Sequence, residues 1–168
     1  MKELHLFTDG SVDTKSKIGY GAYLLVAEAG FTLDGLNKQV KVRRFEQTSS
    51  TRLELQTLLW ALDEVKTEGC RLTVYSDSQN IINLPGRRKR LEANDFRSKQ
   101  NRQLKYHQLY RDFYCLTDQL NCLFVKVRGH QAAKQENFAD RLFPLVDRAA
   151  RKALREDKKL TAQPAKDK

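Results

Sequence analysis

The sequence predicts a mixed α/β domain in which helices pack on a largely central sheet. Three observations carry that prediction. Three short alternating runs, joined by brief turn-like stretches, come before the first long helical stretch. A helix then stands between two apolar, β-branched runs, and the rest of the chain reads helix, strand, helix. Strands with short connections favour an antiparallel meander, whereas a helix between two strands implies a crossover and a parallel pair. The predicted order is βββαβα(α)βα, with no internal repeat and no linker long enough for a second domain.

Each element has its own justification. Leu4, Leu6 and Thr8 alternate with His5, Phe7 and Asp9, the period of a strand, and Gly10 is read as the turn that ends it. Residues 12–17 are polar and turn-like. Residues 19–27 read as a second strand, in which Gly19 and Gly21 mark a bulge or a close backbone approach. Asp34-Gly35 and Asn37 mark a turn, and residues 39–46 alternate again as a third strand. A long helix is predicted over 51–67, because Leu55, Leu58, Leu59, Leu62 and Val65 recur at helical spacing. Ser49, Ser50 and Thr51 are its candidate caps, and Gly69 closes it. A strand follows over 71–77. A short helix starts at Ser78 and is expected to stop before Pro85-Gly86. Residues 104–120 resume helical spacing, 121–127 form a last strand, and 128–135 a loop. A final helix over 136–155 is expected to be interrupted near Pro144. Residues 1–155 are thus read as one domain. Residues 156–168 are read as a basic, disordered tail.

With 168 residues the chain can bury a real core. No apolar run approaches the length of a membrane span. Met1-Lys2-Glu3-Leu4 leads straight into the first strand, so no secretory leader is expected. Cys70, Cys115 and Cys122 are odd in number and lack zinc-ligand spacing, which predicts reduced, half-buried thiols and a cytoplasmic protein. The formal net charge of +10 points to a polyanion-binding protein; the plainer alternative is a soluble protein with a basic tail. The charge is concentrated. Arg87, Arg88, Lys89 and Arg90 form a dense run, followed by Arg97, Lys99, Arg102 and Lys105, with only Glu92 and Asp95 against them.

The acidic residues are the second signal. Phe7-Thr8-Asp9-Gly10-Ser11 and Val74-Tyr75-Ser76-Asp77-Ser78-Gln79 each carry a predicted strand into an aspartate. Thr51-Arg52-Leu53-Glu54-Leu55 opens the long helix, and Arg128-Gly129-His130 precedes Asp140. Each has a plain alternative. Asp-Gly after a strand is commonly a turn. Thr51 and Glu54 match a capping box. Asp77-Ser78 suits a helix cap, and Asp140 an exposed helical charge.

Taken together and in this order, these stretches closely resemble the ribonuclease H family. The shared pattern is a strand ending T-D-G-S, a helix opening R-x-E-L, a strand ending S-D-S-Q, a G-H loop, and an aspartate opening the last helix. It spans the chain from about Leu4 to Leu154. The resemblance implies the family's five-stranded mixed sheet, three antiparallel strands followed by parallel ones. It implies Asp9, Glu54, Asp77 and Asp140 as ligands for two magnesium ions, with manganese as the alternative. Hard divalent cations take oxygen ligands, and a pair of them can activate a water and stabilise the leaving oxygen. Asp147, in Val146-Asp147-Arg148-Ala149-Ala150, is the rival fourth carboxylate; the distance from His130 favours Asp140. His130 is implied as the group that assists the water or product release.

The implied substrate is an RNA–DNA hybrid, cut in its RNA strand to leave a 5′-phosphate and a 3′-hydroxyl by a monomeric enzyme that needs no membrane. Arg87, Arg88, Lys89 and Arg90 lie where the family has its basic substrate handle. That handle is tryptophan-rich in many members, whereas Trp60 here lies in the predicted long helix. Ser11, Ser50, Thr51 and Gln79 are the polar candidates for reading the 2′-hydroxyl, with Ser50-Thr51 standing where the family often has an asparagine pair. The rival readings are a nuclease of the same fold acting on structured DNA or RNA, and a non-catalytic nucleic-acid binding module. The module would be marked by a lost carboxylate.

Overall fold

The computed structural model describes residues 2–27, 32–65, 69–128 and 137–162. Five strands, β1 (Lys2–Asp13), β2 (Ile18–Ala27), β3 (Lys41–Phe45), β4 (Cys70–Ser76) and β5 (Asn121–Lys126), form one sheet in the order β3-β2-β1-β4-β5. β2 runs antiparallel to both β1 and β3, while β4 runs parallel to β1 and β5. The expected mixed sheet is therefore present. Five helices accompany it among the described residues: α1 (Leu33–Gln39), α2 (Ser50–Glu64), α3 (Gln79–Ala93), α4 (His107–Asp118) and α5 (Phe138–Ala162).

The core has two sides because β1 is covered on both faces. Leu4 and Leu6 point with Leu72 and Val74 toward α2, α3 and α4, where Leu55, Leu58, Ile81, Leu84 and Phe113 close around them. Phe7 points the other way, with Leu24 and Val26, against Leu142, Leu145 and Val146 of α5. A strand buried on both faces needs apolar residues at both parities, which is why β1 tolerates only a few polar side chains before Asp9. The long helix α2 lies unusually close to the sheet. A Cβ on Gly21 would stand 2.1 Å from Thr57 Oγ1, and one on Gly19 would stand 2.7 Å from Leu53 Cδ2. The two glycines thus serve the close approach expected of them, and they seat the turn of α2 that carries Glu54.

Four expectations are corrected. Asp34-Gly35 lies in α1, a short helix capped by Thr32, whose Oγ1 accepts from Gly35 N–H at 3.1 Å, so β3 starts only at Lys41. α3 does not stop at Pro85 but runs on to Ala93. One missing N–H is outweighed by Ile81, Leu84 and Leu91, which are buried on both sides of the proline. α5 likewise passes through Pro144 without ending. Finally, residues 156–162 are not a loose tail. They continue α5, and Asp157 accepts from Tyr20 Oη at 2.6 Å and Arg44 Nε at 2.8 Å, while Lys158 pairs with Asp13 at 3.6 Å. Residues 163–168 lie outside the described residues.

Among the described residues, no disulfide joins Cys70, Cys115 and Cys122. Cys70 and Cys122 are half-buried as expected, but Cys115 is exposed. Burial pushes the Cys122 thiol up to about 11. Among the described residues no helix is long and apolar enough to cross a membrane.

Candidate active site

The site follows from strand register. The last paired residues of the parallel β1–β4 ladder are Phe7 and Tyr75, whose rings stack with centroids 4.6 Å apart. Two residues further on, side chains return to the same face, and Asp9 and Asp77 leave the ladder at one level. Asp9 is not, however, the end of its strand. β1 continues to Asp13 as an arm paired with β2, with Asp9 opposite Ala22 and Gly10 opposite Gly21. The aspartate stands where β4 peels away toward α3, and that departure opens the cleft.

Glu54 comes from α2. The cap of that helix is Ser49, whose Oγ accepts from Arg52 N–H at 3.3 Å. The Thr51–Glu54 capping box is therefore not formed, and the glutamate is released for another purpose. Its Oε2 accepts from Ser78 Oγ at 2.6 Å. Thr8, Asp9, Glu54, Thr57, Ser76, Asp77 and Ile81 line one small cleft.

The carboxylate that α5 brings against Asp9 is that of Asp147. The Asp147 carboxylate is hydrogen-bonded to that of Asp9 and is itself held by Arg151 Nε at 3.0 Å. Asp140 lies in the first turn of α5, where its backbone N–H donates to Asn137 Oδ1 at 2.8 Å. Seven residues are nearly two full helical turns, so both aspartates fall on one stripe about 10 Å apart along the axis. Helical pattern cannot separate them; axial position does. His130 lies outside the described residues.

Clustering these groups has an electrostatic consequence. Burial, then the Asp77 charge, pushes the Asp9 carboxyl up to about 8, against a lowering by the Gly10 backbone, and Asp147 adds to the rise. Burial also raises Glu54; the Ser78 hydroxyl opposes that rise and Asp77 reinforces it. An all-oxygen set with more negative charge than the fold can ionise comfortably fits a hard cation, which would relieve the repulsion. Among the described residues, no three carboxylate, imidazole or thiol groups already form a closed ligand cage. The set fits in its chemistry, then, rather than as a finished cage.

The predicted substrate residues fare unevenly. Ser11 lies in the arm of β1 beyond Asp9, and Ser50 and Thr51 open α2. The Gln79 amide is engaged at both ends, its oxygen by Lys126 Nζ at 2.5 Å and its nitrogen by Asn83 Oδ1 at 2.8 Å. The basic run is helical. Arg87 donates to Asn80 Oδ1 at 3.0 Å and lies 5.6 Å over the Tyr110 ring. Arg88 grips Asp118 with two nitrogens, at 2.5 and 2.8 Å, and Glu92 at 2.8 Å. Lys89 and Arg90 are exposed and make no ion pair among the described residues. Sequence reasoning missed Ser78 as a partner of Glu54. Its place before Ile81 marked only a helix cap.

A parallel pair delivers two aspartates to one level, where carboxylates from two flanking helices meet them, an all-oxygen arrangement suited to cation-assisted hydrolysis. The family model described as RNase H matches residues 1–154, so the chain belongs to the ribonuclease H family and is a ribonuclease H enzyme. It is 26% identical over 144 residues to a protein named ribonuclease H from Caldicellulosiruptor saccharolyticus, covering 84% of this chain and 94% of that protein. Among solved structures, the RNase H domain of prototype foamy virus superposes with a TM-score of 0.72 at 16% identity, over 90% of this chain and 93% of that domain. A foamy viral protease-reverse transcriptase solved in complex with an RNA/DNA hybrid gives a TM-score of 0.65 at 9% identity, over 90% of this chain and 19% of that one.

Proposed function

We propose that this enzyme hydrolyses the RNA strand of RNA–DNA hybrids at internal phosphodiesters, using divalent cations and leaving 5′-phosphate and 3′-hydroxyl ends. The observation that carries the reading is the single cleft lined by Asp9, Glu54 and Asp77, with Asp147 against Asp9. These four carboxylates would hold magnesium, or manganese in its place. Bound there, a cation pair would supply Lewis-acid activation of a water and stabilisation of the leaving oxygen. The protein's own part is to hold the four groups at one level, to keep Glu54 oriented, and to present the scissile phosphate. His130 is assigned proton transfer near neutral pH. Lys89 and Arg90, with Lys99, Arg102 and Lys105, are assigned the backbone, through counterion release, and Ser11, Ser50 and Thr51 the 2′-hydroxyl. That a foamy viral protein of the same fold was solved with an RNA/DNA hybrid agrees with the choice of substrate. We read the enzyme as a monomer, and the cysteines outside any disulfide as suited to a reducing cytoplasm.

The test is cleavage of end-labelled hybrid, duplex DNA and duplex RNA with and without magnesium, beside Asp9→Asn. Magnesium-dependent nicking of the RNA strand of the hybrid alone is expected. Cleavage of duplex DNA at an equal rate would overturn the substrate assignment.

A further inference from the structure

Ser78 stands where three elements meet. It directly follows Asp77, it caps α3, and it touches Glu54 of α2. The residue is 5% exposed, so little water competes for its hydroxyl. That hydroxyl has one proton and two lone pairs. The proton is given to Glu54 Oε2 at 2.6 Å, and Ile81 N–H donates to the oxygen at 3.3 Å. The backbone is pinned as well, since Ser78 N–H donates to Ser76 Oγ at 3.1 Å. Ser78 Oγ is therefore indexed to β4 and to the first turn of α3, and through it so is Glu54. A glutamate has rotamers to lose on being fixed. A short bond from a buried donor to an ionised oxygen is strong enough to select among them.

We propose that Ser78 is a positioning residue: it holds Glu54 in the orientation that, with Asp9 and Asp77, receives a divalent cation. This rests on the cation reading given above. A merely structural Ser78 would cap α3 and nothing more. The two roles separate chemically, because glycine is tolerated at an N-cap but has no hydroxyl to donate.

The experiment is magnesium binding to the full chain by calorimetry, without substrate, for wild type, Ser78→Gly, Ser78→Ala and Ser78→Thr. Thermal unfolding in chelator serves as the folding control. Ser78→Gly and Ser78→Ala should bind magnesium about 10-fold more weakly, the usual cost of removing a group that orients a ligand. Ser78→Thr, which keeps the hydroxyl, should restore most of the affinity. Hybrid binding in chelator should be unchanged in all three. Wild-type affinity in Ser78→Gly and Ser78→Ala, or a Ser78→Thr as weak as Ser78→Gly, would overturn the proposal alone. Wild-type protein that binds no magnesium would overturn the cation reading and this inference with it.

Discussion

The two charged regions of this molecule are built in opposite ways. At the acidic cleft, strand register and two helices force carboxylates together, and burial, then the Asp77 charge, pushes the Asp9 carboxyl up to about 8. On the basic side, much of the charge is already spent within the fold. Arg88 is tied to Asp118 and Glu92, and Arg111 pairs with Asp95 at 3.0 Å while lying 4.3 Å over the Phe96 ring. Like charges assembled at a cost to the fold mark a place where something is meant to bind. Charges satisfied by neighbours mark a place where the fold is being held. A net charge of +10 therefore overstates the surface available to a polyanion. Within the basic segment, the exposed cations that remain are Lys89, Arg90, Lys99, Arg102 and Lys105.

The contrast can be broken most directly at the cleft. Asp9→Asn should lower hybrid cleavage by more than about 100-fold at saturating magnesium, since even a group that merely orients a ligand costs 10- to 100-fold. A variant cleaving at the wild-type rate would remove Asp9 from the site. The fourth carboxylate is the sharper test. Asp147→Asn should cost nearly as much in turnover, while Asp140→Asn should stay within a few-fold of wild type. The reverse ranking would return the role to Asp140. His130→Ala should lower kcat by about 100-fold, the lower end of general acid–base contributions, with little change in KM for the hybrid. An equal loss in binding would make His130 a substrate contact instead.

On the basic side the expected effects are smaller and of two kinds. Replacing Lys89 and Arg90 together by alanine should weaken hybrid binding and shallow its salt dependence by about one unit of slope for each phosphate that is no longer neutralised. Arg88→Ala should leave that slope alone and lower the melting temperature instead, because its guanidinium is committed to Asp118 and Glu92. Titration of hybrid binding between low and moderate salt separates the two. If Arg88→Ala changed the slope as much as the double variant, the division between held and available charge would be wrong.

How far the sequence could be read follows the same division. Alternation and spacing place β1, β2, α2, β4 and the helical core, because they depend on the near neighbours of each residue. The level shared by Asp9 and Asp77 depends on the β1–β4 register, which no local pattern contains. Asp140 and Asp147 share a helical stripe, so only the packing of α5 could choose between them. Pro85 and Pro144 read as stops because the local rule is real; buried leucines on either side outweigh it here. Asp34-Gly35 read as a turn because the same residues suit the start of a short helix capped by Thr32. The tail looked loose from its lysines, while Asp157 had partners 113 and 137 residues away in Arg44 and Tyr20.

The smallest expected effect tests the cleft's electrostatics without any substrate. The folded chain holds the Asp9 proton up to about pH 8, whereas an unfolded chain releases it near the ordinary 3.8. Between those values the unfolded chain binds fewer protons, so stability falls as pH rises. Glu54, also raised, acts in the same direction. Carboxylates held low, Asp118 by Arg88 and Asp157 by Tyr20 and then Arg44, change protonation below that window and do not mask it. In chelator, the melting temperature should drop by a few degrees from pH 5 to pH 8. Asp9→Asn should flatten that slope and melt higher than wild type at pH 8. Magnesium should reverse the slope for wild type, because a cation binds the ionised, folded site and not the unfolded chain. A chelated wild type whose melting temperature held level or rose across the window, in step with Asp9→Asn, would mean that the folded cleft does not hold the Asp9 proton after all.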